Sequence, residues 1–407
     1  MDKLLNEKYA QLILNRGINL QKGQCVRIMT TVDSYHFALT ILEKAYSLGA
    51  KFVKIEVASD YTTLHRANNS QKEFIDYIPD YEYANNNMMI AENWAFISIT
   101  NTDEFDVLNN ANTENVQSLM RNAQITRKKL RDKLMSDKQS WIVVAYPGPK
   151  WAERIYGSSN ELHKLEDAFK KIMRLDKDDV DSYWNAHSNT LINRCHYLND
   201  LHLDKLIFKN KLDELEIGLN TTSIWHGGPA KLPDGRLFMP NMPTEEVFTT
   251  PDFTRTNGRI SVVKPVDVFG TTIKDLKLEF RNGEVINFNC SKGMDMMEKY
   301  LSIDKQAKFL GEVALVDKNS PINTSSLFFN SILFDENASS HIALGAGYPS
   351  CIKNNQNLLS DDDRLAAGCN VSSVHTDFMI GTEDTCVTGF TSDGKAIQIM
   401  KDGSFVI

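Results

Sequence analysis

The sequence predicts an α/β N-terminal domain followed by an α+β, mainly antiparallel β, C-terminal domain. Three observations carry this. Up to about residue 205, β-rich runs alternate with helical periods, the pattern of βαβ units. Beyond it that alternation stops, and short β-rich runs are punctuated by Asn-Gly and Asp-Gly turns. At 407 residues the chain also exceeds one typical core, so two domains are expected, 1–205 and 206–407.

In the first half, Leu4, Leu5, Tyr9, Leu12 and Ile13 recur near helical spacing across residues 3–15, with Gly17 as a stop. A strand is expected over Cys25–Met29. Asp33 or Ser34 then caps a helix ending at Gly49, with Phe37, Ile41, Ala45 and Leu48 on one face. Lys51–Val57 follows as a strand, completing a βαβ unit. No Gly-rich loop joins its first strand to its helix, so a nucleotide site is not supported. Further β-like runs fall at Met89–Ile90, Trp94–Thr100 and Ser140–Ala145, with a helix around 115–136 and two more over Asn160–Leu175 and Asp178–Leu201.

In the second half, Glu214–Leu219 opens as a strand. Leu276–Phe280 and Glu284–Phe288 flank Arg281-Asn282-Gly283 as a hairpin, and Asp393-Gly394 and Asp402-Gly403 mark later turns. Only Ser291–Ile303, with Ser291 as cap, and the stretch Ser339–Leu344 read as helical.

Hydrophobic content of 42% and charged content of 24% are those of an ordinary globular protein. A net charge of −8 argues against a nucleic-acid partner. No apolar run is long enough to span a membrane, and the charged N-terminus lacks a secretory core. Cys25, Cys195, Cys290, Cys351, Cys369 and Cys386 show no paired spacing, which fits a reduced cytoplasm.

Chemistry concentrates in a few segments. In Asn241–Asp252, Pro243 and Pro251 bracket Glu245 and Glu246 on a stiff backbone. Adjacent residues there point to opposite sides, so only one of the two glutamates faces a given site; the residue pattern does not choose between them. Glu312 heads the apolar run Val313–Val316. His341 follows Asp335-Glu336-Asn337, and His375 and Asp377 lie two apart on a strand, hence on one face. An imidazole and a carboxylate side by side are ligands for zinc, cobalt or manganese. His36, His65, His163, His187, His196, His202 and His226 lack an acidic partner at such spacing and read as surface or core histidines.

Taken together, Asn-Met-Pro-Thr-Glu-Glu-Val-Phe-Thr-Thr-Pro-Asp, Gly-Glu-Val-Ala-Leu-Val, Asp-Glu-Asn-Ala-Ser-Ser-His-Ile-Ala-Leu-Gly, Gly-Ala-Gly-Tyr-Pro and His-Thr-Asp-Phe-Met-Ile-Gly resemble the thermophilic metalloaminopeptidase family, that of aminopeptidase T, AmpS and PepS. The order of the motifs agrees with that family across essentially the whole chain. The resemblance implies a metal-bearing C-terminal domain with ligands at Glu246, Glu312, His341, His375 and Asp377, and it favours Glu246 over Glu245. It puts Tyr348 in the site and implies a homodimer enclosing its active sites in a cavity.

Three carboxylates and two imidazoles suit two divalent ions (zinc, cobalt, manganese or magnesium), with at least one carboxylate bridging. The expected activity is removal of N-terminal residues from short peptides by metal-activated water. Tyr348 would donate to the developing oxyanion, and a carboxylate outside the ligand set would carry the proton to the leaving amine. Glu336 and Glu245 are the candidates for that role, with Glu336 preferred. Another dinuclear hydrolase, such as a dipeptidase or amidase, and a non-catalytic peptide-binding protein are the alternatives.

Overall fold

The computed structural model describes residues 1–100 and 103–407. The chain forms two compact units, residues 1–185 with 229–243, and residues 186–228 with 244–407. It therefore crosses between them three times, rather than once near residue 205. The first crossing falls inside one uninterrupted helix, Val180–Leu201, where no break in composition marks it.

The first unit holds a four-stranded parallel sheet in the order Phe52–Val57, Cys25–Thr30, Ala95–Thr100, Trp141–Ala145. Val26 pairs with Val53 on one side and Ala95 on the other, so Cys25–Thr30, first in sequence, lies between two neighbours. The helix Lys3–Leu12 begins at Asp2, whose carboxylate accepts from the Leu5 N–H. In the helix Tyr35–Ser47, Phe37, Ile41 and Ala45 are buried as the periodicity predicts. Leu48, assigned to the same face, is instead the C-cap and is exposed. Met89 and Ile90 are not a strand but the end of the helix Asp80–Ala91, with Met89 packed against Trp94, Phe96 and Leu130. Two apolar residues carry no period of their own, so packing decides their state. The segment 229–243 returns to this unit because its backbone pairs with the last strand: Val143 N–H donates to Pro240 O and Met242 N–H to Val143 O.

The second unit is built on an eight-stranded antiparallel sheet and a separate four-stranded one. In the large sheet, Lys277–Arg281 and Glu284–Asn289 form the hairpin predicted around Asn282-Gly283. Both turn residues have positive φ, 49° and 86°, as a two-residue turn of this hand needs. A Cβ on Gly283 would also run into the Phe253 carbonyl. The helix Met294–Leu301 starts after Gly293; the hydroxyl of Ser291 does not cap it but bonds to Lys274 O and Asp275.

The small sheet runs His375–Met379, His341–Gly345, Leu310–Val316, Glu246–Thr249. The helix expected over Ser339–Leu344 is therefore a strand from His341 onward. Its alternation of small and apolar residues fits either state, and pairing to Leu310–Val316 on one side and His375–Met379 on the other decides the matter. Alternate residues of this sheet divide its two faces. Val247, Val313, Leu315, Ile342, Leu344 and Phe378 enter the core shared with Leu206, Phe208, Leu215 and Ile217 of the large sheet. Each such side chain contributes about 1.5–3 kcal/mol by leaving water, which makes the small sheet a rigid platform. Its other face carries the polar residues. Among the described residues no helix is long and apolar enough to cross a membrane.

Candidate metal centre

Strand pairing alone brings five predicted residues onto one face of the small sheet. Glu246 pairs with Val316, and Glu312 is four residues earlier on that same strand. His341 pairs with Ala314, Ala343 lies between Glu312 and Asp377, and His375 pairs with Gly345. Paired residues and residues two apart share a face, so all five side chains project together. Ala343 is small enough for the carboxylates of Glu312 and Asp377 to approach above it. Gly345 has φ 107°, and a Cβ there would collide with the Val374 carbonyl, so the strand can pair closely opposite His375 only as glycine.

The five side chains form two overlapping sets. Single ligand atoms of Glu246, Glu312 and His341 all lie within 4.8 Å of one another, as do those of Glu312, His375 and Asp377. Glu312 belongs to both. His341 Nε2 lies 3.2 Å from Glu246 Oε2, and His375 Nε2 lies 3.2 Å from Glu312 Oε2 and 3.4 Å from Asp377 Oδ1. His341 and Glu312 are buried, whereas the His375 side chain is 24% exposed and forms the open edge.

The imidazoles are oriented from behind. His341 Nδ1 meets the Ser339 carbonyl at 3.1 Å and His375 Nδ1 meets the Ala346 carbonyl at 2.7 Å. A carbonyl only accepts, so each Nδ1 bears the proton and each Nε2 turns toward the carboxylates. In the neutral rings Nε2 is then a bare lone pair facing oxygen. Consistent with this, Glu246 Oε2 and Asp377 Oδ1 are buried and, among the described residues, have no hydrogen-bond partner of acceptable geometry. Acceptor facing acceptor in a buried site calls for positive charge between them, supplied either by protons on both rings or by metal cations.

The acid–base balance agrees. Burial would lower the His341 pKa, but the close approach and charge of Glu246, with the charges of Asp377 and Glu312, raise it to about 10. His375 is likewise disfavoured as a cation by burial, yet Asp377 and Glu312 push its pKa well above the ordinary range. Burial raises Glu312, reinforced by Glu246 and Asp377 and opposed by His375. For Asp377 burial acts upward, but the two imidazoles prevail and lower it. Carboxylate and imidazole donors with fixed tautomers and partnerless buried oxygens fit one or more divalent cations.

Glu336 lies in the single turn Glu336–Ala338, outside both sets. Its carboxyl is raised well above the usual range, first by burial and then by the charges of Glu246 and Asp377. Tyr348 hydroxyl lies 3.2 Å from His375 Nε2, and its ring packs edge-on against Phe248. Glu245 turns the other way: it is buried with its carboxylate 3.5 Å from His187 Nε2. His187 thus gains an acidic neighbour that sequence spacing could not show, because the two are brought together only by the fold. The carbonyls of Ser339 and Ala346 also escape sequence reasoning, since backbone groups carry no residue signature.

The sequence matches the thermophilic metalloprotease (M29) family over residues 2–405. It is 32% identical to aminopeptidase 2 of Geobacillus stearothermophilus over 402 residues, 98% of this chain and 97% of that protein. It is 32% identical to aminopeptidase AmpS of Bacillus subtilis over 98% of this chain and 97% of that one. The fold matches the solved structure of wild-type AmpT from Thermus thermophilus with a TM-score of 0.91 at 29% identity, covering 100% of both chains. The matched relatives are aminopeptidases, and the chain itself belongs to the thermophilic metalloprotease family M29.

Proposed function

We propose that this protein is a metalloaminopeptidase that releases N-terminal residues from short peptides. The reading has an α/β N-terminal domain and a C-terminal domain bearing the site. Glu246, Glu312, His341, His375 and Asp377 hold two divalent cations (zinc, cobalt, manganese or magnesium). Glu312, the carboxylate common to both sets, would serve both. The observation that carries the reading is the pair of overlapping ligand sets sharing Glu312.

The cations, when bound, supply Lewis acidity and a nucleophilic water at neutral pH. The chain's own groups do the rest. Ser339 and Ala346 hold both imidazoles in the ligating tautomer. Tyr348 donates to the scissile carbonyl oxygen as it gains charge. Glu336 carries the proton to the leaving amine. Burial is the largest cause that raises the Glu336 carboxyl, which suits it to hold a proton.

An exopeptidase must position its substrate by the free α-amine. Acetylation removes that lone pair and charge and leaves its partner unsatisfied, at ~1–3 kcal/mol before any steric cost. A free peptide is expected to be trimmed stepwise from its N-terminus, with its N-acetyl version inert, as followed by mass spectrometry after chelation and re-addition of single metals. Internal cleavage or equal turnover of the acetylated peptide would refute the aminopeptidase reading and favour another dinuclear hydrolase. We further place the protein in the cytoplasm as a homodimer; light scattering that gave a 46.1 kDa monomer at micromolar concentration would contradict the dimer.

A further inference from the structure

The peptide unit joining Thr244 to Glu245, one residue before Glu246, is held at both ends by distant side chains. Its carbonyl accepts from His187 Nε2 at 2.7 Å, and its N–H donates to Asn337 Oδ1 at 2.7 Å. Asn337 is buried, and its Nδ2 donates to Leu333 O at 3.1 Å and reaches Glu336 Oε1 at 3.4 Å. These partners permit one orientation of the amide: the Glu245 N–H requires the oxygen and the Leu333 carbonyl requires the nitrogen. One planar group thus touches both the segment that delivers Glu246 and the Glu336 carboxylate. Among the described residues it makes the only hydrogen bond to that carboxylate. The turn Glu336–Ala338 continues directly from the short helix Ile332–Asp335, which sets its backbone and leaves the Glu336 side chain to be held by Asn337.

We propose that Asn337 is a positioning residue that fixes Glu336 relative to Glu246, so that the proton carrier and a metal-holding carboxylate keep a constant separation. This rests on the roles given above to those two glutamates. The function needs both halves of an amide. Aspartate at this position keeps the acceptor for Glu245 N–H but removes the donor to Glu336, and alanine removes both.

The test uses the full chain saturated with metal and compares Asn337→Asp, Asn337→Ala and Ser320→Ala. The Ser320 hydroxyl donates to the Asn337 main-chain carbonyl at 2.7 Å, so its loss weakens the turn without touching the amide. The readouts are kcat and KM on an aminoacyl chromogenic substrate, metal affinity by titration, and Tm. Asn337→Asp is expected to lower kcat ~10–100-fold with KM and metal affinity within about threefold of wild type. Asn337→Ala should lose kcat similarly and metal affinity by a further ~10-fold. Ser320→Ala should lower Tm alone. Wild-type kcat in Asn337→Asp would overturn the proposal, as would kcat losses in all three variants that merely follow Tm. Should Asn337→Ala not fold, Asn337→Asp against Ser320→Ala still decides it. A wild-type protein that released no N-terminal residue with any metal would refute the proposed function instead, and equal metal affinities in the two Asn337 variants would then separately overturn the hold on Glu246.

Discussion

Because Glu312 belongs to both ligand sets, substituting it should differ in kind from substituting any other member of the cluster. Glu312→Gln keeps the shape and removes the charge. A ligand present at 100 times its Kd stabilises the fold by ~2.7 kcal/mol. At ~2–4 °C per kcal/mol for a unit of this size, that is ~5–10 °C of Tm per bound ion. Wild type should therefore gain ~10–20 °C on loading both sites. Glu246→Gln or His341→Ala, each in one set, should retain about half of that gain, and Glu312→Gln essentially none. The metal-free proteins should show the opposite order. Burial and the neighbouring Glu246 and Asp377 disfavour ionised Glu312, so a neutral glutamine leaves the stripped protein as stable as wild type or more so. The assay is scanning calorimetry with and without chelator, paired with metal counts by elemental analysis. A Glu312→Gln variant that bound two ions, or kept the full metal-dependent Tm gain, would refute the shared-ligand argument.

Four further outcomes are expected. Glu246→Gln and His375→Ala should abolish peptide hydrolysis and lower metal content with the fold intact by circular dichroism, while His163→Ala, on the surface, should change neither. Ala343→Leu should cost ~1–3 kcal/mol by overpacking and weaken metal binding, because it forces Glu312 and Asp377 apart; normal metal affinity would contradict the packing argument. Gly283→Ala should destabilise by at least ~1 kcal/mol in urea melts, through positive φ and the clash with Phe253 O, without altering kcat. Asp335 accepts from the Phe329 and Ser331 N–H groups, yet burial outweighs them and pushes its pKa up to about 6. A raised carboxyl favours the protonated fold, so its contribution is present below pH ~4 and lost as pH rises through 6, about 3 kcal/mol in all. Asp335→Asn should flatten the dependence of Tm on pH over that window relative to wild type, and an unchanged slope would count against the assignment.

Much of the architecture is legible along the chain because it rests on local physics. The helical period through Phe37, Ile41 and Ala45, the β-branched runs Cys25–Thr30 and Phe52–Val57, and the Asn282-Gly283 turn are each decided within a few residues. The motifs that name Glu246, Glu312, His341, His375 and Asp377 are likewise contiguous words, and the i, i+2 relation of His375 and Asp377 follows from strand geometry alone. What the sequence does not contain is anything that depends on pairing between distant strands. The stretch Ser339–Leu344 suits helix or strand until Leu310–Val316 and His375–Met379 flank it. Nothing in the helix Val180–Leu201 marks where one unit ends, since the division follows from which residues later pack against it. Residue pattern alone does not separate Glu245 from Glu246, although the family motif favours Glu246; the fold sets Glu246 beside His341 and Glu245 beside His187. The tautomers of both imidazoles depend on backbone carbonyls, and the Asn337 amide spans 92 residues to reach the Glu245 N–H. Residue type and spacing thus determine which groups are available, and strand register determines which of them meet, because register is a property of two segments and is written in neither one alone.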